Sequence, residues 1–280
     1  MVLTHSKLKV IIAVSLVAAV IYGLVAYIVL PLTWSHFEHQ KKLAGVAMMT
    51  NTVQGIQGDP INVGLVGAKD EVICAMHAAG WYPADPITFC SSLEIIGSVV
   101  LRRSYEDAPV SNLFYDNRRE DLAFEKLDGR SANRRQHVRF WQVLAEGEEG
   151  RPVWLGAATF DRGVGLSHYT AQVTHHILPN IDAERDQLSG DLKAARVVEA
   201  LYEVSGIGPT LIGRNGEGDR YYTDGEVEIS RLVKGCNSTV AATVKLDNPP
   251  VTKFKNQAWK AVAAILQAAD NYSDLNSAPQ

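Results

Sequence analysis

Between Val10 and Ser35 the chain reads VIIAVSLVAAVIYGLVAYIVLPLTWS, without a charged residue. A helix crosses the hydrocarbon core of a bilayer with about 20 apolar residues, so this run is long enough to span one. Tyr22 and Tyr27 lie within it, and Trp34 falls at its end, where an interfacial aromatic belongs. A cleaved leader has an apolar core of about 7–15 residues and a small-x-small cleavage site. This run is longer, and AYIVLPL offers no such site. The expectation is an uncleaved, single-pass anchor over residues 1–35. Lys7 and Lys9 precede the span, while Lys41 and Lys42, partly offset by Glu38, come after it. The positive-inside rule then tilts slightly toward a cytoplasmic N-terminus, leaving the soluble part outside the cytoplasm.

The chain beyond the anchor must build its own core. Of 280 residues, 46% are hydrophobic and 21% charged, an ordinary globular balance. The net charge of −4 gives no global sign of a nucleic-acid partner, which leaves only local basic patches to weigh. Cys74, Cys90 and Cys236 are an odd set with no C-x-x-C spacing, neither a disulfide framework nor a zinc ribbon. Cys74 and Cys90 sit in apolar surroundings, where a thiol packs as a small core residue; one bridge among the three stays open.

Residues 36–58 read as a juxtamembrane helix or stalk that fades into a loop, with His36 and His39 as interfacial polar residues. A domain over 59–250 then opens with a strand, INVGLVG, and a helix, AKDEVICAMHAAGW, whose Val72, Ile73, Met76 and Ala79 keep helical spacing. His77 stands three residues from Cys74, a spacing open to a metal pair but better suited to a core histidine. PITFCSSLEIIGSVVLRRSY (86–105) reads as a second helix. Strand-like stretches come next: SNLFYDN, DLAFEKL, HVRFWQVL (137–144), RPVWLGAATF (151–160) and AQVTHHIL (171–178). After Pro179 and Asn180 a helix is expected, with Asp182 as N-cap and Glu184 and Asp186 at its positive end. The spacing of Leu188, Leu192, Ala195, Val198 and Leu201 carries that helix to about Val204, with Gly206 as its stop. Beyond it lie strands separated by RNGEGD and TDG turns. The remainder, 251–280, holds a helix over about 255–269, with Trp259, Val262, Ile265 and Leu266, and a tail with no fold signal from 273. The fold class expected is α+β: a single transmembrane helix leading into a mixed, largely antiparallel α/β sandwich.

Four stretches, INVGLVGAKDEVICAMHAAGWYPADP, HVRFWQV, GRPVWLGAATFDRGVGL and THHILPNIDAERD, resemble the LssY C-terminal domain family in the expected order, over about Asp59 to Lys245. In that family the domain often comes after polytopic bacterial membrane domains, DedA-like or lipid-phosphatase-like. This chain has one span and no lipid-phosphatase motif, so that activity does not carry over. The resemblance implies a bacterial envelope setting, at the inner (cytoplasmic) membrane, and no reaction.

Chemistry must therefore be sought residue by residue. Side chains alternate along a strand, so His137 and Arg139 share one face of HVRFW, while the adjacent His175 and His176 face opposite ways. One of those two can join a strand-borne site, not both. FDRGVGLSH presents Asp161, Arg162 and His168 on a turn-like segment. The candidate metal set, for a divalent ion, is His137, Asp161, His168 and His176, or His175 in its place; the candidate catalytic core is His137, Asp161 and His176. Histidine is both a common ligand and the proton carrier near neutral pH. Against this, the spacing matches no metal motif such as H-E-x-x-H, and strand-end histidines bonded to backbone or aspartate explain the pattern as well. RSANRRQHVR offers Arg134, Arg135 and Arg139 for an anion or a lipid headgroup; the plainer reading pairs such arginines with Glu120, Asp121 or Glu125. Two functions are expected: a non-catalytic accessory domain that binds lipid, cell-wall precursor or a partner membrane protein, or a metal-assisted or histidine-dependent phosphoester hydrolase with Arg139 on the phosphate.

Overall fold

The computed structural model describes residues 5–84, 113–127, 135–169, 171, 173–204, 211–236 and 238–277. The anchor is one helical rod, Ser6–Phe37, long and apolar enough to span a membrane and with none of its apolar face buried against the protein. It comprises α1 (His5–Leu24), a widened turn over Val25–Val29, and α2 (Leu30–Phe37). Pro31 explains the widening. It has no N–H for the carbonyl four residues back, so the ladder re-registers locally, with Leu30 N–H reaching Val25 O. The Thr33 hydroxyl also donates to Val29 O at 2.7 Å.

The domain begins before residue 59. Leu43 and Met48 are buried in its core, and β1 (Met49–Thr52) pairs antiparallel with β2 (Gln57–Pro60). The stretch expected as a stalk is therefore largely part of the folded unit. β1 also pairs with β5 (Leu113–Tyr115), which turns through Asp116 and Asn117, both at positive φ, into β6 (Arg118–Arg119). That is the backbone of a tight two-residue hairpin.

The main sheet runs β15 (Val244–Lys245), β11 (Val198–Val204), β14 (Val227–Leu232), β3 (Val63–Val66), β9 (Val153–Leu166), β8 (Arg135–Leu144), β7 (Leu122–Leu127), β4 (Tyr82–Pro83), with β10 (Val173–Ile177) added beside the far half of β9. Among the described residues only the β11/β15 and β14/β3 strand pairs are parallel, so the sheet is mixed and largely antiparallel, as expected. A separate hairpin joins β12 (Ile212–Arg214) to β13 (Arg220–Tyr222). On one face α3 (Lys69–Ala78) and α4 (Ile181–Ala194) cover a core of Val72, Ile73, Met76, Trp154, Leu188 and Leu192. The other face packs Leu43, Ile61, Trp141, Leu155, Tyr202 and Ile229. The three fully buried tryptophans are satisfied: Trp81 by Asp191, Trp141 by Arg118 O and Trp154 by Gly67 O. At Gly156 a Cβ would stand 2.6 Å from the Phe140 ring and 2.8 Å from Arg139 O, so the sheet admits only glycine there.

Three expectations are corrected. The helix after Pro179 does not reach Val204. It ends at Ala194, Arg196 adopts φ +62°, and Val198–Val204 pairs with β14. Val198 and Leu201 fit helical spacing, but a strand buries Val198, Ala200, Tyr202 and Val204 on one face, and its β-branched and aromatic content suits that face. The N-cap is Asn180, whose side chain accepts from Ala183 N–H; Asp182 turns inward to Thr223, Arg185 and the Asp224 N–H. The last helix, α5 (Pro250–Ser277), is longer at both ends than expected and takes in residues 273–277. The helix expected over 86–105, Cys90, Arg134 and Gly206 lie outside the described residues.

Cys74 and Cys236 form a disulfide, with Cα atoms 5.3 Å apart across a sequence separation of 162. Cys74 is thus bridged rather than a free core thiol, and no metal pair with His77 exists. His77 packs its ring against Tyr82 instead.

Candidate functional site

Three neighbouring strands, β8, β9 and β10, assemble the first site. His137 on β8 lies directly opposite Thr159 of β9, which places it on the same face as Asp161, two residues along. His175 comes from β10. Its Nδ1 is 2.7 Å from Asp161 Oδ2, and His137 Nε2 is 3.1 Å from the same oxygen. The His137 contact is off the hydrogen-bonding direction, so this buried nitrogen has no hydrogen-bond partner. The two imidazoles stand edge to face, centroids 6.3 Å apart.

His176 does not join them. The β9/β10 register shifts by one residue between His176 and Ile177: His176 faces Gly163, Ile177 faces Asp161, and Arg162 is the extra residue. Such a bulge exchanges the faces presented on either side of it. His175 therefore shares the face of Asp161, and His176 goes to the other side. There Asp219 receives it, with Oδ1 2.7 Å from His176 Nδ1, while Oδ2 accepts the Ile177 N–H. His168 completes a second cluster, its Nε2 3.9 Å from Asp219 Oδ1 and its ring 5.5 Å from that of His176. Gly165 is needed here, since a Cβ would fall 2.4 Å from His176 Nε2. The set His137, Asp161, His168 and His176 is thus divided between two centres, each completed by a residue from outside it: His175 in one, Asp219 in the other. In each trio the ligand atoms lie within 4.8 Å of one another. Donors around a tetrahedral ion with bonds near 2.0 Å are about 3.3 Å apart, so a modest closure of either trio would hold one.

The first cluster lines a small cleft of about 40 Å³, with Asp59, Arg139 and Asn215 on its other walls. Asp59 Oδ1 accepts from Asn215 Nδ2 at 3.0 Å, and Arg139 Nη1 is 3.9 Å from Asp59 Oδ2. Burial pushes the Asp59 carboxyl above its ordinary value, against the pull of Arg139 and Asn215. Burial acts on Asp161 in the same sense, but His137 and His175 beside it outweigh it and hold Asp161 well below the usual carboxylate range. Asp161 is thus anionic between two imidazoles, the pattern of a metal-ligand set.

The arginines considered for an anion do not act together. Arg135 Nη1 pairs with Glu125 at 3.1 Å, and Arg139 is buried beside Asp59. Asp59, Asn215 and Asp219 were not legible as site residues. Asn215 and Asp219 sit in the glycine-rich RNGEGD turn, whose composition signals a hairpin and nothing of what its polar side chains hold. There the Asn215 side chain also accepts the Glu217 and Asp219 N–H groups.

A family model described as LssY C-terminus matches residues 40–227, well over half the chain. The chain belongs to that family. The match starts close to Leu43, where the structure shows the domain core beginning. No curated protein and no solved structure matches.

Proposed function

From membership of the LssY C-terminus family and the geometry of β8, β9 and β10, we propose that the chain is a membrane-tethered accessory domain of a bacterial envelope that binds a divalent metal ion through His137, Asp161 and His175. The observation that carries this reading is the His137 Nε2 atom, buried and without a hydrogen-bond partner, beside a carboxylate kept anionic by its two imidazole neighbours. His137 Nε2 lies 3.1 Å from Asp161 Oδ2 without a well-directed hydrogen bond, and a metal ion held by both would give each a directed partner. Two histidines and one aspartate suit zinc or a neighbouring transition ion. The Cys74–Cys236 bridge supports a domain outside the cytoplasm, where disulfides persist, in agreement with the slight charge bias around the anchor. Partner and lipid are read from the tether alone: a domain held at a bilayer meets lipid headgroups and other membrane proteins.

The hydrolase reading draws on one further feature, the buried Asp59 with its raised pKa at the same cleft, a candidate proton acceptor for a metal-bound water. Against it stands the size of the cleft. About 40 Å³ accommodates an ion and one or two waters, so an organic phosphate ester would lie mostly outside the cleft. Binding is therefore the preferred function.

The test is elemental analysis of the full chain, purified in detergent without chelator, beside His137→Ala and His175→Ala. Near one equivalent of metal in the parent and loss in both variants is the expected result. Absence of metal from the parent after incubation with zinc, manganese and cobalt salts would refute the reading. Metal-dependent cleavage of a phosphomonoester, lost with Asp59→Asn, would replace it with the hydrolase.

A further inference from the structure

A second cavity, of about 330 Å³, is bordered by Arg162, Arg214 and Arg220, with His168, Asp219 and Asp270 also on its walls. This volume lies in the range of small-ligand sites. The three guanidiniums come from two separate structural devices. Arg162 is the bulged residue of β9, pushed out of register between Asp161 and Gly163. Arg214 and Arg220 lie directly opposite each other in the β12/β13 hairpin. Like charges at directly opposed positions destabilise a strand pair, and a two-stranded hairpin has little else to hold it. No ion pair relieves this: among the described residues none of the three arginines has a carboxylate within 4.0 Å. Asp219, on the same wall, is engaged by His176 and the Ile177 N–H. Arg214 does donate to Gly218 O at 2.5 Å, which steadies its side chain against the turn.

Three exposed, unpaired guanidiniums around one concave volume are suited to a phosphate group, which they bind through paired N–H donors. Asp270 borders the same cavity, and a carboxylate there suits a hydroxyl or ammonium group on the ligand. We propose that this cavity binds a small phosphate ester carrying such a donor, either free in solution or as the headgroup of a membrane phospholipid. The site shares no side-chain contact with His137, Asp161 or His175, and it meets the metal reading only through the backbone, where Arg162 comes directly after Asp161. A bound phosphate would neutralise the opposed Arg214 and Arg220, so ligand binding and hairpin order are coupled.

The experiment uses the full chain in a phosphate-free maltoside detergent, titrated with glycerol 3-phosphate and with inorganic phosphate while its unfolding temperature is monitored. Arg220→Gln and Arg162→Gln are compared with the parent. The same proteins are then placed in nanodiscs of phosphatidylcholine with or without phosphatidylglycerol, with protease protection of the 211–222 hairpin as readout. A free-ester site predicts stabilisation by glycerol 3-phosphate at millimolar concentration, weakened at least tenfold by either substitution. A headgroup site predicts hairpin protection that depends on phosphatidylglycerol and is lost in the same variants. Response to neither probe, or equal responses in parent and variants, overturns the proposal. Arg220→Gln removes a like-charge contact, so the ligand-free variant should melt no lower than the parent. If it melts lower, Arg162→Gln, at an exposed bulge, decides the question.

Discussion

His175 Nδ1 stands 2.7 Å from Asp161 Oδ2 because Arg162 is extruded from the ladder between them and Gly163. Were Arg162 kept in the ladder, Ile177 would pair with it and Leu178 with Asp161, so His176 rather than His175 would share the face of Asp161. Asp161→Asn keeps the shape of the site but removes the charge shared by His137 and His175. The expected outcome is a loss of about 1–3 kcal/mol in stability, measured by denaturant unfolding, and at least tenfold weaker retention of metal, measured by competition with a chromogenic chelator. Unchanged metal retention would remove Asp161 from the ligand set.

The Cys74–Cys236 bridge makes a countable prediction. The sequence contains three cysteines, so the protein isolated from an oxidising compartment and denatured without reductant should alkylate at one thiol, Cys90, and at three after reduction. The bridge closes a loop of more than 150 residues, for which the chain-entropy estimate is about 5 kcal/mol, an upper figure because reduced chains retain structure. Cys74→Ser with Cys236→Ser should therefore lower the unfolding temperature by several degrees at least.

How far the fold could be read from residues varied with the kind of signal. The uncharged run after Val10, the helix at Lys69–Ala78 and the strands around His137, Val153 and His175 announce themselves by length or periodicity. Val198–Val204 did not, because Leu188, Leu192, Ala195, Val198 and Leu201 happen to satisfy helical spacing across a turn marked only by Arg196 at positive φ. At the site, alternation was enough to say that His175 and His176 must part company. It could not say which meets Asp161, since one bulged residue reverses the answer and no residue type announces a bulge at Arg162. Asp59, Asn215 and Asp219 reach their partners across distances of 43 to 156 residues, which local pattern does not carry.

A buried charge network fastens α4 to the turn before β14. Arg185 bonds Asp224 through both terminal nitrogens, at 2.7 and 3.1 Å, and meets Asp182 at 3.3 Å. The burial that opposes its charge is overcome by those two carboxylates, and its pKa lies well above the ordinary value. Asp224→Ala leaves a buried guanidinium without its two-pronged carboxylate partner, and Arg185→Ala leaves two buried carboxylates close together. Each should cost about 3–5 kcal/mol. The double variant should cost clearly less than the sum, since it removes both unpaired groups. Additive losses in urea unfolding would show that the pair does not act as a unit.

Glu226 predicts the shape of the pH–stability curve. It is buried; burial pushes its carboxyl up to about 7, against the opposing pull of Lys255, whose Nζ lies 2.5 Å from Oε1. Its other oxygen has no hydrogen-bond partner, which favours the protonated form. In the unfolded chain the group would titrate near 4.5. Between these values the native state holds a proton that the unfolded state has lost, so stability falls as pH rises through this window and levels off above about 7. The full effect is up to about 3 kcal/mol. Glu226→Gln, neutral throughout, should flatten the curve between pH 5 and 7.5 and leave the variant closest to the parent at the acidic end. Matched urea-unfolding series at the two pH values measure it. A parent whose stability rises across that interval, with no change of slope in the variant, would show that Glu226 is ionised in the native domain and that Lys255 outweighs its burial.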